Sequence, residues 1–452
     1  MTDTIFALSS GHGRAGIAVI RISGANLRGL FASIVSPVGS RVSPPYGGET
    51  RFSEFEITPR HAYLADLADD AGDVIDRAIA IYFSAPNSFT GEDVIEFHTH
   101  GSQAVIQKLF DTLKSHGARM AEPGEFTRRA FHNSKMDLAE VDGLCALIDS
   151  RTDKQRARAL KSMAGADSAA YENWRNRMIE IAAYSAAMLD YPSDELPQNI
   201  GKTLLSRTKE LHDEITAALA RANATRAVQS GFNIALAGPV NAGKSSLFNR
   251  LVGESRAIVS DIPGTTRDVI TAEIDVDGYL VRLLDTAGLR DTDDPIENMG
   301  ISRTMDACDN ADMVIRLQSA KHIAQSDDIK DNEIVVVNKS DLHTENSALQ
   351  SANHILVSAL TGKGIPELLE IIKRKVHEML DGAESDVVVN ARTKTLLEES
   401  AAELNQAISN NSSHDIFAEH ARAASDAIGR ILGIIGADEI ADKIFGQLCL
   451  GK

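Results

Sequence analysis

A glycine-rich run at residues 238–245 limits the fold of this chain more than any other segment. The run reads Gly-Pro-Val-Asn-Ala-Gly-Lys-Ser, a pattern in which backbone N–H groups and a lysine surround phosphate oxygens. It works only between a buried strand and a helix N-terminus, because the strand positions the loop and the helix dipole favours the anion. A mostly apolar stretch, residues 233–237 (Asn-Ile-Ala-Leu-Ala), precedes the run, and residues 246–251 have a helical pattern. The sequence therefore predicts a phosphate-binding loop in an α/β domain, with Lys244 at the phosphates and the Ser245 hydroxyl on Mg²⁺.

Two further segments are placed to sense the terminal phosphate. Asp285 ends a predicted strand and begins the run Asp-Thr-Ala-Gly, which puts a carboxylate near the metal and the Gly288 amide near the γ-phosphate. Thr265 and Thr266 lie between the two motifs, where a threonine could close over Mg²⁺ when a triphosphate is bound. Leu289 follows Gly288, at the position where small GTPases use a glutamine to orient water. Another group must therefore stabilise hydrolysis.

A third pair of segments is suited to reading the base. The run Asn338-Lys-Ser-Asp341 follows apolar residues 334–337. Asp341 can accept hydrogen bonds from the N1–H and 2-amino groups of guanine, which adenine does not offer. Residues 358–360, Ser-Ala-Leu, would add a backbone contact to the base. The order of these motifs along the chain predicts a guanine-nucleotide site.

The pattern of apolar residues divides the chain into four predicted segments. Residues 1–120 form an N-terminal α/β domain, whereas residues 121–229 and 383–452 have the apolar spacing of helices. Residues 230–382 alternate strands and helices, as in βαβ units on a mostly parallel sheet. We therefore predict a multidomain α/β plus α protein, in which a Ras-like P-loop GTPase domain is inserted into a helical domain whose two parts pack together. Individual elements are predicted at 16–22, 233–237, 281–284, 313–315 and 334–337 (strands) and at 102–115 and 201–228 (helices).

Net charge limits how the chain could meet nucleic acid. With 46 basic and 64 acidic side chains the net charge is −18, so the average field repels phosphate and any RNA contact needs a local basic patch. Arg151, Lys154, Arg158 and Lys161 recur at helical spacing and form the best such patch. A solvated helix face explains the same spacing, and the sequence leaves both interpretations open.

The lack of a recognisable targeting signal and the cysteine usage favour a cytoplasmic protein with no membrane partner. No apolar run reaches the ~18 residues of a membrane span, and the first residues lack the basic and apolar regions of a signal peptide. The three cysteines are too few and too scattered for a disulfide framework or a zinc site. Cys145 and Cys308 lie in segments typical of packed helices, whereas Cys449 is too close to the carboxyl end to help build a core.

Short runs distributed from end to end of the chain resemble the MnmE (TrmE) family of bacterial tRNA-modification GTPases. These runs are Arg21-Ile-Ser, residues 87–93, 122–126 and 133–135, the loop at 238–245 with Asn241, residues 260–268, residues 285–290 and the terminal Cys449-Leu-Gly-Lys452. The resemblance implies a homodimer whose N-terminal domain, an α/β folate-binding-like domain, binds a tetrahydrofolate derivative in the 5-formyl or methylene form. It also implies a heterotetramer with an FAD-containing partner protein. This assembly would modify C5 of the wobble uridine of certain tRNAs to (carboxymethyl)aminomethyluridine.

The resemblance also implies roles at the nucleotide site. Potassium would supply the missing positive charge for hydrolysis, and Glu297 would orient the attacking water. The potassium ligands would be Asn241, Ser260, Ile262 and Thr265. The Mg²⁺ ligands would be Ser245 and Thr266. Motifs and resemblance together assign catalysis to Glu297, Lys244, Thr266 and Cys449. They predict that GTP contacts Asn241, Ala242, Gly243, Lys244, Ser245, Ser246, Ser260, Asp261, Ile262, Pro263, Gly264, Thr265, Thr266, Asp285, Thr286, Ala287, Gly288, Asn338, Lys339, Asp341, Ser358, Ala359 and Leu360.

A second candidate site lies in the N-terminal segment. Glu96, His98 and His100 alternate on a predicted strand and therefore share one face. Taken alone they could form a carboxylate–histidine metal site, although no further ligand is marked. The resemblance favours Glu96 as an anchor for a pterin ring. The folate contacts that it implies are Arg21, Glu96, Lys135 and Lys452, the last only if the final helix docks there. Whether Cys449 is a nucleophile, a proton donor or an anchor stays open.

A function from another class fits part of the same pattern. A regulatory GTPase that binds ribosomes or RNA would need the nucleotide site and would catalyse nothing beyond GTP hydrolysis. Residues 1–120 discriminate between the two functions, because a folate pocket has no place in an assembly switch. The tRNA-modifying GTPase is therefore the first hypothesis, and the ribosome- or RNA-associated switch is the alternative.

Overall fold

The structure is a computed structural model that describes twelve stretches of the chain. These are residues 3–11, 13–37, 57–190, 199–239, 241–254, 256–258, 270–285, 308–319, 330, 332–342, 354–435 and 451. The chain forms two compact units, the first of residues 1–141 with 432–452 and the second of residues 142–431. Within the described stretches, every helix is too short or too polar to span a bilayer.

The first unit is built on a mostly antiparallel sheet. Its strands are β1 (Ile5–Leu8), β2 (Ala15–Gly24), β3 (Val35–Pro37), β4 (Ala62–Ala68), β5 (Val74–Phe83), β6 (Asp93–Gly101) and β7 (Arg119–Met120). They lie in the order β3-β4-β5-β6-β2-β1-β7, and only β1 and β7 pair in parallel. Its helices are α1 (Arg28–Ile34), α2 (Gln103–Ser115) and α3 (Glu125–His132). The strand predicted at 16–22 and the helix predicted at 102–115 are confirmed as β2 and α2.

The two faces of this sheet differ because side chains alternate along each strand. One face carries Phe6 and Ile20, which are buried in a core shared with α1 and α2. A cross-strand row on the opposite face consists of Val19, His98, Ile79 and Leu64. Within this row the Leu64 side chain is 63% exposed and the Ile79 side chain is 40% exposed. The second face is therefore apolar in part and only partly covered.

The other described helices lie on both sides of the nucleotide-binding segment, residues 230–382, and within it. These helices are α4 (Leu138–Asp149), α5 (Asp153–Met163), α6 (Ala166–Asp190), α7 (Ile200–Ala220), α8 (Ala222–Ser230), α9 (Lys244–Glu254), α10 (Ile365–Leu380), α11 (Ala391–Ser409) and α12 (His414–Leu432). Hydrogen bonds join the two helical segments: the Tyr171 hydroxyl donates to the Val388 carbonyl at 2.9 Å, and the Ser185 hydroxyl donates to the His414 carbonyl at 2.9 Å. The predicted packing of the two helical parts is confirmed, while the exact domain boundaries stay a prediction.

The helix predicted at 201–228 is in fact two helices. The chain leaves α7 after Ala220 and starts α8 at Ala222. The break lets α8 bury Ala227 and Val228 in the core of the nucleotide-binding sheet. An apolar period alone does not mark such a break, because apolar residues at helical spacing occur on both sides of it.

The predicted basic patch, at the start of and along α5, is partly paired with acidic residues inside the protein. Arg158 is only 3% exposed, and its guanidinium pairs with Asp167 at 2.5 Å and donates to the Asp386 carbonyl at 2.9 Å. Arg151 pairs with Glu273 at 2.6 Å. Both interpretations made from the sequence are therefore wrong for Arg158, which is buried against acidic and carbonyl partners within the protein, whereas Arg151 is exposed and both interpretations stay predictions for it.

The second unit contains a mostly parallel sheet. Its strands are β8 (Phe232–Ala237), β9 (Arg256–Ile258), β10 (Ile270–Val276), β11 (Tyr279–Asp285), β12 (Met313–Ser319), β13 (Glu333–Asn338) and β14 (His354–Leu356). Their order is β14-β13-β12-β8-β11-β10-β9, with β10 and β9 antiparallel to their neighbours. Ile234, Leu236 and Val336 are buried on this sheet against Leu368 and Ile372 of α10. The predicted strands and the parallel βαβ arrangement are confirmed.

Candidate functional site

The glycine-rich loop joins β8 to α9, as its pattern requires. Gly238 has a φ of +146°, and a Cβ at this position would lie 2.4 Å from the Leu317 carbonyl oxygen. Only glycine allows this approach of the loop to β12. The Lys244 ammonium donates to the carbonyl oxygens of Gly238 at 2.7 Å and Pro239 at 3.2 Å. Carbonyl oxygens of the loop therefore hold the Lys244 ammonium, which is the positive charge that the motif provides.

Asn338 connects the loop to the base-reading segments. Its Nδ2 donates to the Ala242 carbonyl at 3.0 Å, and its Oδ1 accepts from the backbone N–H of Lys339 at 2.8 Å and of Ala359 at 3.1 Å. The side chain is 2% exposed, so these bonds are protected from water. A Cβ on Gly243 would lie 2.3 Å from the same Nδ2. The Asn338 side-chain amide thus fixes the spacing between three motifs, which are the loop at 238–245, the run 338–341 and the run 358–360.

Asp341 and Ser358 meet beside this connection. Asp341 Oδ1 accepts a hydrogen bond from the Ser358 hydroxyl at 2.5 Å, and that hydroxyl accepts from the Thr361 N–H at 3.2 Å. The Lys339 ammonium donates to the Asn241 carbonyl at 2.7 Å. The Asp341 carboxylate, which is predicted to read guanine, is therefore oriented by the buried Ser358 hydroxyl. The sequence pattern predicted only a backbone contact from residues 358–360 to the base. Leu360, also in the predicted set, is 82% exposed.

Of the side chains predicted near Mg²⁺, Ser245 and Asp285 lie within the described residues. Ser245 and Ser246 are exposed in the first turn of α9, and Asp285 is 1% exposed at the last position of β11. Hydroxyl and carboxylate oxygens suit Mg²⁺, so this donor set fits that ion. The other predicted residues lie outside the described residues: Ser260, Asp261, Ile262, Pro263, Gly264, Thr265, Thr266, Thr286, Ala287, Gly288, Glu297, Cys449 and Lys452.

The second candidate site centres on an ion pair on the partly covered face of the N-terminal sheet. Arg21 of β2 lies opposite Glu96 of β6, and its Nη2 is 2.8 Å from Glu96 Oε1. The guanidinium carbon lies 5.1 Å from the centre of the Phe89 ring and 5.9 Å from that of Phe126. A charged pair backed by two aromatic rings can bind a planar, hydrogen-bonding heterocycle. The sequence reasoning missed both rings, although they lie in the runs 87–93 and 122–126 that carry the family resemblance.

The metal-site interpretation of the same strand finds no support among the described residues. Glu96, His98 and His100 share a face as predicted, but His100 Nδ1 lies 2.8 Å from Asp76 Oδ1, and Glu96 is paired with Arg21. His98 Nε2 lies 3.5 Å from Glu96 Oε2. No group of three or more histidine, cysteine, aspartate or glutamate side chains in the described part of the chain is arranged for a metal ion.

Two further predicted folate residues relate to this site through their neighbours. The Lys135 side chain is exposed and passes over Gly91, where a Cβ would lie 3.4 Å from Lys135 Cε. Gly91 follows Phe89 by two residues, so Lys135 lies on the loop that stacks on Arg21. At the C-terminal end of the chain, the Ser9 hydroxyl donates to the Gly451 carbonyl at 2.9 Å. The residue before Lys452 therefore lies at the end of β1, the strand next to β2.

A buried charge network supports α3, which carries Phe126. Arg129 is 1% exposed and bonds to Glu92 and Glu125 at 2.9 and 3.1 Å. Burial raises the pKa of Glu125, but the hydrogen bond from Arg119 and further donors outweigh it, so the pKa lies below its ordinary value. The carboxylate stays charged, and the network holds α3 against the sheet.

The nucleotide site, on a mostly parallel sheet, defines the class of the protein: it is a P-loop GTPase, an enzyme that hydrolyses GTP. Family profiles divide the chain into two matches, "GTP-binding protein TrmE N-terminus" over residues 4–135 and "MnmE helical domain" over residues 138–449. The tRNA modification GTPase MnmE of Parvibaculum lavamentivorans is 39% identical over 462 residues, covering 100% of both chains. That of Rhodopseudomonas palustris is 38% identical over 455 residues, covering 100% of this chain and 99% of the relative. The chain belongs to the tRNA modification GTPase MnmE family.

Two solved structures each match about a third of the chain. The G domain of the T. maritima FeoB iron transporter is 27% identical and covers 33% of this chain and 98% of its own, with a TM-score of 0.25. Era, in complex with MgGDPNP and part of 16S ribosomal RNA, is 23% identical and covers 32% of this chain and 56% of its own, with a TM-score of 0.26.

Proposed function

We propose that this GTPase uses its nucleotide cycle to drive modification of C5 of the wobble uridine in certain tRNAs to (carboxymethyl)aminomethyluridine, together with an FAD-containing partner protein in a heterotetramer. The observation that carries the proposal is a second site in the same chain, where the Arg21–Glu96 pair lies against Phe89 and Phe126. A GTPase that acted only as an assembly switch would not need this site. The full-length relatives named tRNA modification GTPases support the same function. Because tRNA and GTP are cytoplasmic, we place the protein there.

Tetrahydrofolate chemistry fits the second site. The Glu96 carboxylate could accept from the pterin N–H groups, and Phe89 or Phe126 could cover the ring. Lys135 would meet the glutamyl carboxylates, with Lys452 joining it from the C-terminal end. The derivative would be the 5-formyl or methylene form, which supplies the carbon added to uridine. Cys449, near Gly451 in sequence, would act on this carbon or anchor the terminal segment.

A binding measurement tests the folate proposal. Replacement of Arg21 by alanine (Arg21→Ala) should weaken 5-formyltetrahydrofolate binding by about tenfold or more, because it removes a charged partner and its contact with both rings. Lys114→Ala is the matched control, since Lys114 lies on α2, which covers the opposite face of the sheet. Calorimetric titration that gave equal affinities for both variants and the unaltered protein would place the folate elsewhere.

A homodimer fits the partly covered face of the N-terminal sheet. Leu64 and Ile79 expose apolar surface there in the same cross-strand row as His98, next to Arg21 and Glu96. Exposed apolar surface beside a polar site is typical of a protein interface. Sedimentation at micromolar concentration should give twice the chain mass, and a value of one chain mass would exclude this dimer.

The nucleotide cycle would depend on metal ions. Ser245 and Thr266 would hold Mg²⁺, with Asp285 in its outer shell and Lys244 on the phosphates. Glu297 would orient the attacking water. Potassium would be bound by Asn241, Ser260, Ile262 and Thr265. In this arrangement the chain supplies the residues that hold the ions and the water. The monovalent ion supplies the positive charge that an arginine supplies in other GTPases.

The decisive experiment measures tRNA nucleosides by mass spectrometry in cells that lack the gene. We expect the C5-substituted wobble uridine to disappear and to return with the unaltered gene, but not with Lys244→Ala or Arg21→Ala. Lys244→Ala tests the requirement for the nucleotide site, because it removes the phosphate-neutralising charge. An unchanged nucleoside profile in the deletion strain would contradict the proposal and favour the ribosome- or RNA-associated switch.

A further inference from the structure

The β10–β11 hairpin joins the two sequence segments predicted to sense the terminal phosphate. Thr266 precedes β10, and Asp285 is the last residue of β11. The strands pair along their whole length, from Ile270 opposite Asp285 to Val276 opposite Tyr279. With about 3.4 Å per residue, the turn therefore lies about 20 Å from the phosphate end of the hairpin.

The far end of the hairpin is held by the helical segment. The turn is Asp277-Gly278, and the Gly278 carbonyl accepts from the backbone N–H of Lys154 at 3.3 Å. The Lys154 ammonium pairs with the Glu384 carboxylate and lies 5.1 Å from the centre of the Tyr279 ring. The Tyr279 hydroxyl is hydrogen-bonded to the same carboxylate. We name Lys154, Tyr279 and Glu384 the latch.

Further ion pairs link the same hairpin to other elements. Glu273 of β10 pairs with Arg151, two residues before the start of α5, at 2.6 Å. Asp277 pairs with Lys373 of α10 at 2.8 Å and lies 3.2 Å from His377. The turn is therefore bonded both to the helical segment and to the nucleotide-binding domain.

The latch carboxylate is charged. Burial raises the pKa of Glu384, but the hydrogen bonds from Lys154 and Tyr279 outweigh it, and the pKa lies below its ordinary value. Burial and the nearby Glu384 carboxylate raise the pKa of the Tyr279 phenol, which therefore stays protonated as a donor.

We propose that the latch couples the nucleotide state to the helical segment through the β10–β11 hairpin. The two strands are hydrogen-bonded to each other along their whole length and to β9 and β8 on their outer edges, so a shift at the phosphate end is carried along the backbone hydrogen bonds to the turn. The turn is bonded to α5, and α5 is bonded to α6 through the buried Arg158–Asp167 pair. The inference rests on the phosphate-sensing roles proposed above for Thr266 and Asp285. Lys154, Tyr279 and Glu384 are positioning residues and contact no nucleotide.

Tryptophan fluorescence can measure this coupling without an added label. Trp174 is the only tryptophan, lies on α6, and is 7% exposed with its Nε1 donating to Glu214 at 3.1 Å. Its fluorescence should differ between the protein bound to GDP and to a non-hydrolysable GTP analogue. Lys154→Met should remove most of that difference while the affinity for a fluorescent GDP stays within about twofold, because no latch residue lies at the nucleotide site.

Matched variants separate coupling from damage to the fold. Lys161→Met, on an exposed position of the same helix, should keep the full fluorescence difference. Lys154→Arg should restore most of the difference, because it keeps the charge. If Lys154→Met does not fold, Tyr279→Phe removes only one hydroxyl and should reduce the difference by about half. A full response in either latch variant, or no nucleotide response in the unaltered protein, would overturn the proposal. The measurement needs neither tRNA nor folate, so its failure is distinct from failure of the proposed tRNA function.

Discussion

Asp341→Asn should move base preference from guanine toward xanthine by about 10³-fold. The carboxylate accepts from two N–H groups of guanine, and hydrogen bonds to a charged group contribute about 1.5–3 kcal/mol each. Asparagine replaces one acceptor oxygen by a donor, which faces a guanine donor unfavourably but can bond to the 2-oxo group of xanthine. Competition between GTP and XTP for hydrolysis measures the change. Unaltered selectivity would mean that another group reads the base.

Ser358→Ala provides the control for this switch. The Ser358 hydroxyl donates to Asp341 Oδ1 at 2.5 Å and is completely buried. Its removal should weaken binding of both nucleotides by about tenfold, because the carboxylate loses its orienting donor but keeps its acceptor character. We therefore expect lower affinity without a change of preferred base. A xanthine preference in Ser358→Ala would show that orientation, rather than acceptor chemistry, selects the base.

The nucleotide site could be predicted because its motifs follow strands that are easy to recognise. Lys244, Asp285 and Asn338 follow or end the apolar strands β8, β11 and β13, which run parallel within one sheet. Parallel strands end at the same edge, so their motifs meet there. The contacts that fix the spacing could not be predicted in the same way. Asn338 reaches Ala242 across 96 residues of sequence, and nothing in the local pattern records that bond.

The predicted basic patch shows that residue spacing alone does not reveal the partners of a charged side chain. A period of three to four residues places Arg151 and Arg158 on related faces but does not show what those faces contact. The acidic partners come from other elements: Glu273 is 122 residues away, and Asp167 belongs to the next helix. The rings around Arg21 were missed for the same reason. Phe89 and Phe126 approach Arg21 only after β2, α3 and the preceding loop are in place.

GTP hydrolysis should be about 10²-fold faster in potassium than in sodium at equal ionic strength. A GTPase without an activating charge turns over at roughly 10⁻⁴ s⁻¹, and an arginine beside the β–γ bridge accelerates hydrolysis by about 10³–10⁵-fold. Leu289 occupies the position of the usual glutamine, so this chain needs another source of stabilisation. Single-turnover rates under both salts measure the effect. Equal rates would remove the monovalent ion from the proposal.

Asn241 allows this ion dependence to be traced to one side chain. The residue has a φ of +64°, and its carbonyl oxygen accepts from the Lys339 ammonium at 2.7 Å, so its backbone conformation is fixed by contacts apart from the amide. Alanine in this left-handed conformation costs about 1–2 kcal/mol, whereas glycine adopts it without strain. Asn241→Gly should therefore lower the ratio of potassium to sodium rates by about tenfold through loss of the amide oxygen alone. Asn241→Ala should lower the same ratio and also destabilise the loop, and an unchanged ratio in Asn241→Gly would exclude the side chain as a ligand.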